Sequence, residues 1–194
     1  GLAFDRQVAT LDPAAALGTR RLLVILVQFA NQTAQTTSAQ WQQAFFGASG
    51  SVAAHYAASS YGAVTIAPVT ESSGTASDGI VGWLTLPTNH PNTAGSINSA
   101  NQQLTRDALL AADPYVDFSQ YDTNHNGRIS PDELMVIVVA AGNETSYGGA
   151  SGSCSPSLWG HQWGLYAVTP PTLDTVAVGD NYAQFGRSEE HTSE

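Results

Sequence analysis

The residues best suited to chemistry in this chain lie between positions 122 and 133, in the stretch DTNHNGRISPDE. Oxygen-bearing side chains recur there at every second position, as Asp122, Asn124 and Asn126. Gly127 follows them, and Glu133 closes the stretch as its twelfth residue. A calcium loop has this pattern, D-x-[DN]-x-[DN]-G with a glutamate at position 12. Calcium is a hard cation that takes about six to eight oxygens, and the alternation curls them around one point. Asp122, Asn124 and Asn126 fill positions 1, 3 and 5. Arg128 offers its backbone carbonyl at position 7. Ser130 stands at position 9, where a water often bridges, and Glu133 brings two carboxylate oxygens. Gly127 permits a sharp turn that a residue with a Cβ resists. Only Asp122 and Glu133 carry charge, so the set predicts modest affinity, suited to extracellular calcium. A capped turn is the competing reading, because Ser130-Pro131-Asp132-Glu133 is a good helix-capping sequence. Capping leaves the alternation of Asp122, Asn124 and Asn126 unexplained.

The segment after Glu133, LMVIVVAAG, is rich in β-branched residues and predicts a strand. An EF-hand would exit into an amphipathic helix, and a dockerin would carry a second loop. The loop is therefore expected to act as a clip that joins a turn to a central strand and stabilises the fold. Leu22 to Phe29 predicts another interior strand, apolar without alternation. SAQWQQAFFG predicts a helix with Ser38 as cap and Gly47 as stop. SVAAHYAASSYG predicts a second helix, capped by Ser51, with Val52 and Tyr56 on one face and Gly62 past its end. AVTIAPVT predicts an edge strand, since proline cannot donate to a ladder. A short strand is expected near Trp83 within a loop-rich stretch. SINSANQQLTRDALLAAD is amphipathic, with Ile97, Ala100, Leu104, Ala108 and Ala111 on one stripe. Ser96 is its expected cap, and Asp113-Pro114 its end. Residues 142–157 predict a Gly/Ser-rich loop, and SLWGHQW and TLDTVAVGDNYAQF predict further strand segments. The sum is one α/β (α+β) domain with a mixed sheet.

Composition narrows the function. The 194 residues suffice for one domain with a real core, and 42% are apolar. The formal net charge is -10, and all six basic residues are arginine. No basic patch exists to meet phosphates, which excludes nucleic acid as an expected partner. The longest apolar run, Leu22 to Val27, is far too short for a membrane span. One cysteine, Cys154, makes no disulfide framework and no cysteine-rich zinc site, and reads as an incidental thiol. The low-charge surface suits a secreted protein. The opening GLAFDRQ has no signal peptide, as expected if one was removed or the chain is a fragment. RSEEHTSE, residues 187–194, resembles translated sequencing-adapter sequence and is read as a non-native tail.

Four segments occur in a telling order: LVILVQF, SVAAHYAASSYG, VDFSQYDTNHNGRISPDELMVIVVAAGNE and SLWGHQW. Together they resemble the immune inhibitor A-like secreted zinc metalloproteases, over roughly residues 20 to 185. The resemblance implies a zincin-like mixed sheet with flanking helices, an extracellular bacterial setting and a protein or peptide substrate for the full-length parent. It also implies a zinc ion held by H-E-x-x-H on a helix in the complete domain. The histidines here are His55, His90, His125, His161 and His191, and no two stand four apart. No catalytic residue carries over. Residues 1–19 then form a lead-in and 20–186 the N-terminal part of a metalloprotease-like domain, incomplete because it stops before the zinc helix. Such a fragment is expected to be inactive and to hold a structural calcium ion. The alternative is a non-enzymatic, calcium-stabilised extracellular binding or adhesion module. The Trp-x-His element of the family matches Trp159-Gly160-His161, and His161 is expected to pack between Trp159 and Trp163. His55 reads as a surface or packing residue beside Tyr56, and Asp113 and Asp117 as solvated acids flanking the loop, with oxygens that support its ligands as the alternative.

Overall fold

A computed structural model describes residues 17–96, 98–146 and 154–179, together with the backbone of 184–188. Residues 1–16 of the lead-in, Ile97 of the amphipathic stripe, loop residues 147–153, residues 180–183 of the last strand segment and tail residues 189–194 lie outside the described residues.

The strand β1 (Gly18–Phe29) organises the domain. Its Leu22–Val27 run is buried throughout, as an interior strand requires. Alternate side chains point to opposite faces and so feed two cores. Leu23, Ile25, Val27 and Phe29 pack with Val136, Val138, Ala108 and Leu109. Leu22, Val24 and Leu26 pack with Trp41, Phe45, Ile66 and Ile80.

One edge of β1 is shared by two parallel strands. β2 (Val64–Pro68) pairs with Gly18 to Leu22, and β3 (Ile80–Leu86) pairs with Val24 to Phe29. β2 lies at the sheet edge, as its proline predicts. The register of β3 shifts between Ile25 and Val27, a bulge that holds Gly82 at φ 124°. A Cβ at Gly82 would run into the backbone carbonyl of Leu26. The other edge of β1 pairs in parallel with β5 (Met135–Ala140), from Leu22 with Met135 to Val27 with Ala140. β11 (Gln184–Ser188) continues the parallel set beside β5, and its pairing extends over Arg187 and Ser188. β8 (His161–Trp163) closes the sheet as an antiparallel edge strand. The sheet is therefore mixed and the domain α+β. Two small sheets lie beside it. β4 (Arg128–Ile129) pairs with β10 (Val176–Val178), which forms a hairpin with β9 (Thr172–Leu173). β6 (Asn143–Glu144) pairs with β7 (Ser157–Leu158).

Helix α1 (Ser38–Phe46) is capped by Thr37, which forms a capping box with Gln40. Ser38, the expected cap, instead donates its hydroxyl to the Gly82 carbonyl at 2.9 Å. Helix α2 (Val52–Ser59) has the expected Ser51 cap, but no residue of α2 is buried. Val52 packs, half-buried, against the Leu22, Val24 and Leu26 core, whereas Tyr56 is 49% exposed, so only the Val52 end of that face meets the core. Helix α3 (Ser99–Ala112) starts later than its sequence suggests and is capped by Asn98, with Ser96 outside it. It stops before Asp113-Pro114, which enters a 3-10 turn over Asp113–Tyr115. α3 lies on the face of Leu23 and Ile25, while α1 supplies Trp41 and Phe45 to the other face. Among the described residues, no helix is long and apolar enough to cross a membrane.

Candidate metal centre

The loop is anchored before it begins. A 3-10 turn over Phe118–Tyr121 buries both aromatic rings, and the Tyr121 hydroxyl accepts the Thr70 N–H at 3.0 Å. Asp117 caps that turn by accepting the Ser119 N–H at 3.1 Å. Asp122 follows directly and is buried at 6% exposure. Its two oxygens accept the N–H groups of Asn126 at 3.0 Å and Gly127 at 2.8 Å. Asn124 Oδ1 accepts the Asn126 N–H at 3.1 Å, and Asn126 Oδ1 accepts the Arg128 N–H at 2.8 Å. The tight reversal uses positive φ at His125 (57°) and Gly127 (77°).

Past the turn the chain enters β4, where the Ala177 N–H donates to the Gly127 carbonyl at 2.9 Å. In this parallel pairing, alternation turns the Arg128 carbonyl away from β10. Glu133 then reaches back across the loop. Its Oε1 accepts from Thr123 Oγ1 at 3.0 Å and from the Asn124 N–H at 3.2 Å. Its Oε2 accepts from the Ser130 N–H at 3.0 Å and Ser130 Oγ at 2.9 Å. Burial pushes the Glu133 carboxyl up, but the donors from Ser130, Asn124 and Thr123 together outweigh it and hold the group below its ordinary value. Leu134 is buried and Met135 begins β5, so the loop exits into a central strand. Arg20 of β1 fastens the same turn from outside, donating to the carbonyl and carboxylate of Asp132, each at 3.1 Å.

Asp122, Asn124, Asn126, Arg128 and Glu133 thus lie in one closed loop. Its donors are two carboxylates, two amide oxygens and a backbone carbonyl. This all-oxygen set fits a hard divalent cation and does not fit zinc. Among the described residues, no three His, Cys, Asp or Glu side chains gather around a common point.

Other residues singled out in the sequence lie apart from the loop. Asp117 is spent on its own turn. Asp113 faces the Asp174 side, where burial first, and then the Asp174 charge, raise its pKa. Asp174 accepts the Phe118 N–H at 2.8 Å, which ties the β9–β10 hairpin to the loop's anchor. His55 is exposed on α2, its ring edge-on to Tyr56. His161 is not sandwiched between tryptophans. Its Nδ1 lies 2.7 Å from the Trp159 carbonyl, Trp159 is 46% exposed, and Trp163 packs on Tyr166 at 5.3 Å instead.

Two buried carboxylates carry no pattern of their own in the sequence. Glu71 accepts the N–H groups of Ser73 at 2.6 Å and Asp78 at 3.0 Å, and burial raises its pKa. Glu144 accepts those of Ser146 at 2.6 Å and Gly160 at 2.9 Å. The available signal for Glu71 is an acid heading a Ser/Gly-rich run, whose turns expose N–H groups. No protein-family model and no curated protein matches this chain.

Proposed function

We propose that residues 122–133 bind one calcium ion, and that the ion stabilises a secreted, extracellular domain of the immune inhibitor A-like metallopeptidase type. The observation that carries the calcium reading is the closure of the loop by Glu133 onto Thr123 and Asn124, which brings the twelfth position to the first turn. A bound ion would supply positive charge against the Asp122 and Glu133 carboxylates. The chain's own residues do the positioning: β4 pairs with β10, and the loop exits directly into β5. Order in the loop is thereby passed to the main sheet. At calcium of about 100 times the dissociation constant, mass action adds roughly 2.7 kcal/mol of stability. Calorimetric titration of calcium into chelator-treated protein should show a single site of modest affinity. Glu133→Gln, which removes a charge and the two-oxygen bite, should bind at least about tenfold more weakly, or roughly 1.4 kcal/mol. Absence of heat at millimolar calcium, or equal binding by the two proteins, would return the loop to a capped turn.

The peptidase part rests on the resemblance and is supported by the mixed sheet with flanking helices. Under this reading zinc belongs to the complete domain, and protein or peptide is the substrate of the parent. The chain holds no H-E-x-x-H, so purified protein should leave casein uncut with zinc present. Chelator-sensitive cleavage would sink that statement. A second reading, a non-enzymatic calcium-stabilised binding or adhesion module, is favoured by the exposed aromatics Trp159, Trp163 and Tyr166. The gene sequence beyond Phe185 separates the two: an H-E-x-x-H shortly downstream supports the peptidase.

A further inference from the structure

We propose that His90 is a proton-sensitive latch: its neutral ring fastens the 154–160 segment to the strand ends, and protonation at Nδ1 releases that segment. His90 is buried at 6% exposure where the chain leaves β3. Its backbone N–H donates to Asn31 Oδ1 at 2.9 Å, beyond the end of β1. Its ring stands edge-on to Phe29, with centroids 4.8 Å apart. Its Nε2 lies against Gly142, just past β5, where an added Cβ would meet it at 2.7 Å. The ring therefore touches the exits of β1 and β5 while belonging to the exit of β3.

The hydrogen bonds fix its proton. Asn92 N–H donates to His90 Nδ1 at 2.9 Å, so Nδ1 carries the lone pair and Nε2 the hydrogen. Nε2 is buried and has no partner among the described residues. Asn92 is the next link, because its Oδ1 accepts the Ser157 N–H at 2.8 Å. The Ala94 N–H donates to the Ser157 carbonyl at 3.0 Å, and the Asn143 N–H to the Pro156 carbonyl at 3.0 Å. Ser157 and Pro156 hold the segment that runs on into edge strand β8.

A proton added at Nδ1 turns the acceptor into a donor. It then opposes the Asn92 N–H, and the imidazolium sits in a dry site. Among the described residues no counter-charge faces it. Phe29 and Asn31 on the β1 side, Gly142 and Asn143 after β5, and Pro156 and Ser157 are neutral. Glu144 is turned to Ser146 and Gly160, and Asp107 of α3 accepts from Gln103 Nε2 at 2.7 Å. Burial alone lowers the ring's pKa from 6.5 to about 4. The sign follows: the latch is intact above pH 6.5, is progressively weakened as the unfolded or released form takes up the proton, and is lost below about 4.

The test is an NMR titration of the whole chain from neutral pH downward. It follows the His90 ring protons and the exchange protection factors of the Asn92 and Ser157 amides. The wild type should lose at least about tenfold of that protection with the midpoint of the ring's own titration, while β1 amides stay protected. His90→Asn should keep it, because Asn Oδ1 takes the place of Nδ1 as acceptor and does not titrate. Three results would overturn the latch: the same acid loss in His90→Asn, amide and ring midpoints that differ in the wild type, or simultaneous loss of β1 protection. The wild-type midpoints decide the matter even where the variant fails to fold.

Discussion

Gly82→Ala is expected to destabilise the protein by about 3 kcal/mol or more, the sum of a strained φ and a backbone clash. Gly82 sits in the β3 bulge at φ 124°, a conformation that side chains rarely adopt. The added methyl would run into the carbonyl oxygen of Leu26 and approach the Leu84 nitrogen to 3.0 Å. Both obstacles are backbone atoms of paired strands, so no rotamer change relieves them. Leu26 itself is fully buried. In a chain of this size each kcal/mol moves the thermal midpoint by roughly 2–4 °C, so the midpoint should fall by about 6–12 °C. Gly74→Ala provides the contrast. Gly74 also has a positive φ, 60°, but nothing stands within 4 Å of its added Cβ. It should lose only about 1 kcal/mol. Circular dichroism melts of the two variants check the order, and equal midpoints would remove the bulge as the cause.

Asp122→Ala is expected to act on two levels. Without metal, it removes a buried carboxylate and leaves the Gly127 N–H without its acceptor. The Asn126 N–H keeps Asn124 Oδ1. An orphaned donor and a lost carboxylate together put the metal-free loss at about 2–3 kcal/mol. With metal, the variant also lacks the position-1 ligand, so the calcium increment of roughly 2.7 kcal/mol should vanish. Denaturant unfolding of both proteins, with chelator and with millimolar calcium, gives the four midpoints needed. A variant that keeps the wild-type calcium shift would show that Asp122 is structural and not a ligand.

How much of this was legible in the sequence depends on how local each feature is. The 122–133 loop is local. Its side-chain spacing, its glycine and its exit into LMVIVV all lie within a few residues, and the closed turn follows from them. β1 and β5 were legible because unbroken Leu/Val/Ile runs have few homes outside a doubly covered strand. Helix starts were less legible. Thr36, Thr37 and Ser38 can each cap, and the Gly82 carbonyl claims the Ser38 hydroxyl, leaving Thr37. Tyr56 keeps helical spacing but points to solvent, because periodicity names a face without saying what covers it. His90 gave no signal at all. A single histidine in TNHPN has no pattern, and its surroundings are collected from three strand ends and the 154–160 segment.

The two edges of β1 differ in when they can be filled. β2 and β3 follow it after short stretches, with α1 and α2 between, so this half of the sheet closes on nearby chain. β5 pairs with β1 only from Met135 onward, opposite Leu22, after α3 and the whole loop have been made. Joining ends that far apart must be met in chain entropy before any contact rewards it, and such non-local parallel pairing slows folding. The loop at 122–133 stands directly before β5. A turn already closed there delivers the strand with its direction set, so the ion would bear on how quickly the last half of the sheet finds its register as well as on how long it keeps it.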